Sequence, residues 1–329
     1  PHYVPGIIKC VLNVIYDILL FIGMAIIYIS ESIILTFIPR RYRVKSIEGE
    51  IALITGAAGG IGKLIAIKLA KLGAHVIIWD INKNRKYVSI NTLWKCSSYY
   101  CDITNKQEVY KTAKAIKIEV GTVTLLINNA GYVYGRTLLE LPDNEIEHTY
   151  KVNILSHYWT TKSFLQDMMK DNHGHIVTIA SVAGLLGTYN CTDYSATKFA
   201  AIGYHESLFT ELKAHGYDGI HTTLVCPYFI NTGMFHGVKP RLMPMLEPEY
   251  VADSVVSGLL INQPIVVLPF TMKYLLLLKC LLPAKMCWGL MYHIAQGPQS
   301  MMMFKGRQEK SIYKENNNFT KTSKIAAIE

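Results

Sequence analysis

Hydrophobic positions along this chain fall into three regimes, and each predicts a different kind of element. From Ile7 to Ile38 the residues are mostly Ile, Leu, Val, Phe, Met and Tyr, broken by Lys9, Asn13, Asp17 and the pair Glu31-Ser32. The Val11 to Ser30 part alone is about long enough to cross a bilayer as a helix. From Glu50 onward, short β-rich runs alternate with helical segments: Ile51 to Ile54, Val76 to Trp79, Leu125 to Ile127, Ile176 to Ile179 and Thr222 to Val225. Such alternation predicts parallel strands joined by crossover helices. The runs are almost continuously apolar, which predicts helices on both faces of the sheet. The expected fold is therefore α/β, a doubly wound parallel sheet in a single domain, preceded by an N-terminal hydrophobic membrane anchor. In the third regime, Ile265 to Ile294 is apolar again but punctuated by Lys273, Lys279, Pro283 and Lys285. It reads equally as an interfacial helix with snorkelling lysines or as a substrate-loop or dimer helix of the catalytic unit. The expected segments are an anchor with its basic flank at 1–45, the α/β domain at 46–270, the apolar C-terminal segment at 271–304 and a polar tail at 305–329. The connection from Asp80 to Asp102 is short for a helix plus a strand, so its helix should be abbreviated.

Charge refines the first regime. The cluster Arg40, Arg41, Arg43 and Lys45 follows the apolar run, whereas a secretory signal places its basic residues before it, so an uncleaved anchor is expected. The positive-inside rule then puts the following domain on the cytosolic side. Asp17 and Glu31 are costly near a bilayer centre, which keeps a hairpin or an interfacial lie as the alternative. Half the residues are hydrophobic and 17% are charged, too apolar a balance for a disordered chain. The formal charge of +9 comes from scattered residues without an interleaved basic-aromatic motif. That argues against nucleic acid and suits attraction to anionic lipid. Seven cysteines, with no CxxC pair and no Cys/His cluster, point to reduced thiols and no metal site. From Lys305 onward, with Asn316 to Asn318, the chain reads as solvated.

The first β run ends in Thr55-Gly56-Ala57-Ala58-Gly59-Gly60-Ile61-Gly62, and a helical segment, Lys63 to Leu72, follows. A glycine-rich turn between strand and helix lets backbone approach a pyrophosphate and points helix N–H groups at it, so a Rossmann-type nucleotide site is expected here. The second strand ends at Asp80, about 20 residues further on, where a carboxylate accepts the adenosine ribose hydroxyls and disfavours a 2′-phosphate. The cofactor expected is thus NAD, with Lys83 and Arg85 leaving some room for NADP. Asp102 follows the short run Tyr99-Tyr100-Cys101 and reads either as an adenine contact or as a helix N-cap.

Tyr194 and Lys198 are spaced Tyr-x-x-x-Lys, one turn apart on one helix face. Alcohol oxidation needs a base, and a tyrosine with an ordinary pKa of about 10 is too little ionised near neutrality. The Lys198 ammonium, with a positive nicotinamide ring, would favour the phenolate. Ser181 could hold the substrate oxygen, and Asn153 could position a water linking Lys198 to solvent. Each residue alone has an ordinary structural explanation; their order behind a nucleotide motif is what points to catalysis. His175, His205 and Tyr189 are expected in the core or the pocket wall.

Taken together, Thr55-Gly56-x-x-x-Gly60-x-Gly62, Asn128-Asn129-Ala130-Gly131, Asn153, Ser181 and Tyr194-Ser-Ala-Thr-Lys198 resemble the short-chain dehydrogenase/reductase superfamily over roughly 49–269. The resemblance implies that Asn129 and Ala130 border the cofactor. The segments ending at Asp80 and spanning Cys226 to Phe235 look like the membrane-bound branch containing epidermal-type retinol dehydrogenases and lipid-droplet 17β-hydroxysteroid dehydrogenases. That branch implies an N-terminal anchor, endoplasmic reticulum or lipid-droplet membranes, and a retinoid or steroid substrate. It also places Pro227, Ile230 and Thr232, with Tyr194 and Lys198, beside the cofactor, and is compatible with a homo-oligomer. Tyr228 departs from the glycine that many members carry after the proline. The function expected is NAD-linked oxidation of all-trans-retinol to retinal, with a 17β-hydroxysteroid as the alternative and the 231–250 loop as the discriminating element. A non-catalytic lipid-droplet scaffold would be marked by loss of Tyr194, Lys198 or Ser181, and none is lost.

Overall fold

In the computed structural model, which describes residues 4–82 and 95–306, the first apolar run forms one unbroken helix, α1 (Val4–Phe37). The hairpin alternative is therefore not formed. Ile8–Phe37 is long and apolar enough to cross a membrane. The chain divides into two compact units, Pro1–Lys45 and Ser46–Glu329.

The second unit is built on a seven-stranded, wholly parallel sheet: β1 (Ile51–Thr55), β2 (His75–Asp80), β3 (Cys96–Tyr100), β4 (Leu125–Asn128), β5 (Gly174–Ile179), β6 (Ile220–Pro227) and β7 (Ile265–Leu268). Its order is β3-β2-β1-β4-β5-β6-β7. The crossover helices are α2 (Gly60–Lys71), α3 (Lys106–Glu119), α5 (Ser156–Asp171), α6 (Thr192–Ala214) and α7 (Pro248–Leu260), with the shorter α4 (Asp143–Tyr150) running into α5 through a π turn, Lys151–Leu155. On one face α2 and α7 bury Ile65, Leu69, Val251 and Val255 against the sheet. On the other, α3, α5 and α6 bury Val109, Ile116, Phe164, Met168 and Leu208. Two cores explain why β4 and β5 are buried at every position: neither face of these central strands meets water, so no polar alternation is selected there.

Two strands differ from the pattern expected. β7 takes the first residues of the third apolar regime, and β3 precedes Cys101, its solvent-facing positions making it less apolar than its neighbours. The connection to β3, with Lys83 and Arg85, lies outside the described residues, as does the tail beyond Gly306. The rest of the third regime forms α8 (Met272–Leu281), α9 (Ala284–Gly289), a π turn over Leu290–Ile294, and α10 (Gly297–Met302).

Candidate active site

The strand order reverses between β1 and β4, and a crevice opens beyond the carboxyl ends of the strands at such a switch point. Here it is a cleft of ≈ 1710 Å³, bordered by Gly56, Asp80, Asn129, Ser181, Tyr194 and Pro227. Parallel pairing alone accounts for this, because β2, β1, β4, β5 and β6 all end on that side.

The glycine turn is shaped for close approach. Gly56 has φ 66°, and a Cβ there would meet Ala130 Cα at 2.9 Å; on Gly62 it would meet Asn129 Nδ2 at 2.5 Å and the Gly56 carbonyl oxygen at 2.7 Å. Gly59 precedes α2 in extended conformation with no side-chain cap. The first-turn N–H groups are left for another acceptor, and Gly59, Gly60 and Ile61 border the cleft. Asp80 Oδ2 accepts the Ala58 N–H (2.9 Å) and Oδ1 accepts the Asn82 N–H (3.0 Å). A carboxylate has about four acceptor positions, so capacity remains for ribose hydroxyls. These features fit a dinucleotide without a 2′-phosphate. Asp102 borders the cleft too, but it does not cap α3; Asn105 does, accepting from Gln107 and Glu108, while Asp102 Oδ1 accepts from Thr104 at 2.9 and 2.7 Å.

Thr55 works from behind the cleft: its Oγ1 accepts the N–H groups of Asn129 (3.0 Å) and Ala130 (3.1 Å), tying the β1 and β4 ends together. Asn153 is also a brace. Its Nδ2 donates to the Tyr132 carbonyl (2.9 Å) and Thr197 Oγ1 (3.0 Å), while its Oδ1 accepts the Tyr132 N–H (2.8 Å). Both amide hydrogens are used by protein, so the side chain holds the loop after β4 against α6. The π turn aims it there, the extra residue per turn shifting its direction relative to α4 and α5.

Tyr194 and Lys198 lie on α6 with the Lys198 Nζ 5.6 Å from the Tyr194 ring centroid. Lys198 donates to the Ile179 carbonyl (2.9 Å), which anchors it to the end of β5, and burial pulls its pKa down to about 8. Burial likewise pushes the Tyr194 phenol well above its ordinary range, with a hydrogen bond to Ser181 pulling the other way. The chain by itself thus favours the phenol over the phenolate; a further positive charge is needed to reverse that balance. Ser181 Oγ also accepts the Ala183 N–H (3.1 Å) and donates to the Pro227 carbonyl (3.3 Å), holding it between β5 and β6. Ile230 and Thr232 border the cleft beyond Pro227, and the Thr232 side chain faces Gly60.

Comparison with known proteins agrees with this geometry. Residues 50–242 match the model of the short chain dehydrogenase family. The chain is 44% identical to short-chain dehydrogenase/reductase family 16C member 6 of Bos taurus, over 84% of this chain and 89% of that one. It is 41% identical to estradiol 17-beta-dehydrogenase 11 of Macaca fascicularis (83% and 92%) and 40% identical to epidermal retinol dehydrogenase 2 of Mus musculus (83% and 91%). The chain belongs to the short chain dehydrogenase family. Among solved structures, one of a short chain dehydrogenase/reductase from Burkholderia phymatum in complex with NAD superposes with a TM-score of 0.66 at 25% identity, covering 72% of this chain and 94% of that one.

In this dehydrogenase the substrate end of the cleft has walls beyond the 231–250 loop. Phe235, Leu242 and Met243 come from that loop, but Leu275, Trp288 and Met291 come from the third apolar regime. Lys279 does not snorkel freely: it donates to the Leu185 carbonyl (2.7 Å) and lies 5.4 Å from the Phe199 ring centroid. Tyr228 borders the cleft, packed edge-on to Phe229 at 4.8 Å, and burial pushes its hydroxyl up to about 12. Tyr189 is also on the wall, while His175 and His205 are buried and bonded to Thr223 and Thr178. Sequence reasoning missed Cys191 and Phe235, which pack beside Tyr194; their only signal was proximity to the Tyr-x-x-x-Lys motif and to the 231–250 loop.

Proposed function

We propose that this chain is a membrane-bound, NAD-dependent dehydrogenase of lipophilic alcohols, and that its substrate is all-trans-retinol, oxidised to retinal. The observation that carries the reading is the polarity of the cleft: Tyr194 and Ser181 stand at one place, and beyond them the walls are Leu, Met, Phe and Trp contributed by the 231–250 loop and α8 to α10. An apolar body with one terminal hydroxyl fits such a gradient. Ser181 turns its hydroxyl from the Pro227 carbonyl to donate to the substrate oxygen, fixing it beside Tyr194, which takes the proton. Lys198, held by Ile179, keeps positive charge next to the phenol and to the ribose side of the cleft. Asp80 receives the adenosine ribose, and Thr55 and Asn153 hold the loop after β4 against β1 and α6 at the border of the cofactor cleft. When bound, NAD supplies the hydride acceptor and the positive ring that draws Tyr194 toward phenolate.

The names of the relatives favour a second reading, a 17β-hydroxysteroid substrate, because retinol and estradiol dehydrogenases resemble the chain to nearly the same degree. The same catalytic groups serve both.

Membrane attachment rests on α1; the arginines and lysine that follow it support a cytosolic orientation, and the membrane proposed is that of the endoplasmic reticulum or of a lipid droplet. A second apolar surface supports it: Tyr274, Leu277, Leu281 and Met286 are exposed on α8 and α9, whose other sides border the cleft. Large exposed apolar patches mark partner or membrane contacts. The test is NADH formation by the membrane fraction with all-trans-retinol and with estradiol, run beside the Tyr194→Phe protein. Activity on retinol that vanishes in the variant supports the reading; activity on estradiol alone moves it to the steroid branch; silence on both removes it.

A further inference from the structure

The reacting end of the cleft is flanked by the loops that follow β4 and β6, and each carries a glycine in the left-handed region: Gly135 (φ 78°) and Gly237 (φ 89°). Turn geometry accounts for the dihedral angles but not for what these glycines face. A Cβ on Gly135 would overlap the Phe304 ring, and a Cβ on Gly237 would overlap the Met303 carbonyl oxygen and approach Lys305 Cγ at 2.9 Å. Lys305 N–H in turn donates to the His236 carbonyl (2.9 Å). The segment that leaves α10 is therefore seated against both loops at a distance no side chain would permit.

Phe304 and Met301 are buried there, in one apolar cluster with Val133, Cys191, Phe235 and Tyr194. Rings connect them in sequence: Phe304 to Phe235 at 6.0 Å between centroids, and Phe235 edge-on to Tyr194 at 5.8 Å, with Phe229 on Phe235 at 5.0 Å. Phe235 stands in a stretch of turns outside every strand and helix. Its place is thus set by side-chain packing, and Phe304 supplies one side of that packing.

We propose that Phe304 is a positioning residue of the active site: the segment from Met301 to Lys305 wedges between the two loops and holds Phe235 against the flank of Tyr194. The base is thereby oriented by a residue 110 positions away, beyond the helices that wall the substrate end. This rests on the assignment of Tyr194 as the base.

The test uses the full chain in membranes and whichever lipophilic alcohol the wild type oxidises, with Phe304→Ala, Phe304→Leu, Gly135→Ala and the Gly135→Ala/Phe304→Ala double variant. A misplaced reacting group costs up to about a hundredfold in rate, so Phe304→Ala should lower kcat at least about tenfold. Its Kd for NADH should stay near the wild-type value, and Phe304→Leu, which restores apolar bulk, should recover most of the loss. Gly135→Ala should lower kcat likewise, through strain at φ 78° and through the displaced ring; removing the ring relieves only the second effect, so the double variant should lose less than the two single losses combined. Wild-type kcat in Phe304→Ala, parallel loss of NADH affinity, or additive losses in the double variant would each overturn the proposal. If Phe304→Ala does not fold, Gly135→Ala carries the comparison, with lower kcat at unchanged Kd for NADH. Inactivity of the wild type itself would count against the proposed function instead; hydrogen exchange then reads the wedge directly, since the 234–238 amides and Lys305 should lose protection in Phe304→Ala and regain it in Phe304→Leu, and unchanged protection in Phe304→Ala would sink it.

Discussion

Replacing Asp80 by asparagine should turn a dehydrogenase that prefers NAD into one that accepts NADP almost equally. The carboxylate spends two of its acceptor positions on the N–H groups of Ala58 and Asn82, at 2.9 and 3.0 Å, and the remainder faces the cleft. Hydrogen bonds from ribose hydroxyls to a charged acceptor are worth about 1.5–3 kcal/mol, and each 1.4 kcal/mol is tenfold, so NAD should bind roughly 10- to 100-fold more weakly. The other side of the ratio is electrostatic. Two unit charges about 4 Å apart repel by roughly 4 kcal/mol at an effective dielectric of 20. Asp80 is only half-buried, and solvent screening reduces that to about 1–2 kcal/mol. Relief of this repulsion adds to the loss on the NAD side, for a combined swing of about 2.5–5 kcal/mol in preference, roughly 60-fold to several thousandfold. The assay is fluorescence titration of NADH and NADPH against the wild type and Asp80→Asn, with thermal midpoints alongside. A ratio unchanged within about threefold would remove Asp80 from the ribose site. Equal weakening of both cofactors with a lower midpoint would mean that the residue serves only the Ala58 turn.

Tyr194→Phe should abolish turnover while leaving NADH binding nearly intact; full turnover would exclude Tyr194 as the base. Because burial holds the phenol protonated, kcat/KM for alcohol oxidation should rise with pH while aldehyde reduction falls, and a flat profile in both directions would contradict that role. Gly62→Ala should cost about 1–3 kcal/mol through overpacking against Asn129 and the Gly56 carbonyl, whereas Gly203→Ala, on α6 with open space around it, should stabilise by up to about 1 kcal/mol; thermal melts decide both. Burial pulls His157 down to about 3 and His205 to about 4, so the unfolded chain binds more protons than the folded one between pH 6.5 and those values. Stability is therefore full above pH 6.5 and falls as pH drops through that window, by up to about 1.4 kcal/mol per unit for each imidazole. His157→Phe should shift acid unfolding to lower pH, and an unmoved midpoint would refute the burial argument.

Several features were legible along the chain because they depend on short-range rules. A long apolar run broken by only a few polar residues makes a helix like α1, Thr55 to Gly62 makes a strand-turn-helix from its own dihedral freedom, and Tyr194 and Lys198 share a face by helical spacing alone. β1, β2, β4, β5 and β6 were visible for the same reason. Other features belong to the tertiary structure. The order β3-β2-β1-β4-β5-β6-β7 is what brings Asp80, Ser181 and Pro227 to one cleft, and nothing local encodes which strand neighbours which. That the Asn153 amide bridges Tyr132 and Thr197 follows only from the fold. Asp102 read equally as an adenine contact or as a cap until Asn105 proved to hold the cap position. The apolar stretch after Leu268 announced burial or lipid equally well, since hydrophobicity states that a surface avoids water and not what it meets. Only contact partners far along the chain, such as Phe304 on Gly135 or Lys279 on Leu185, decide between those, because their free energy exists only once the fold has brought them together.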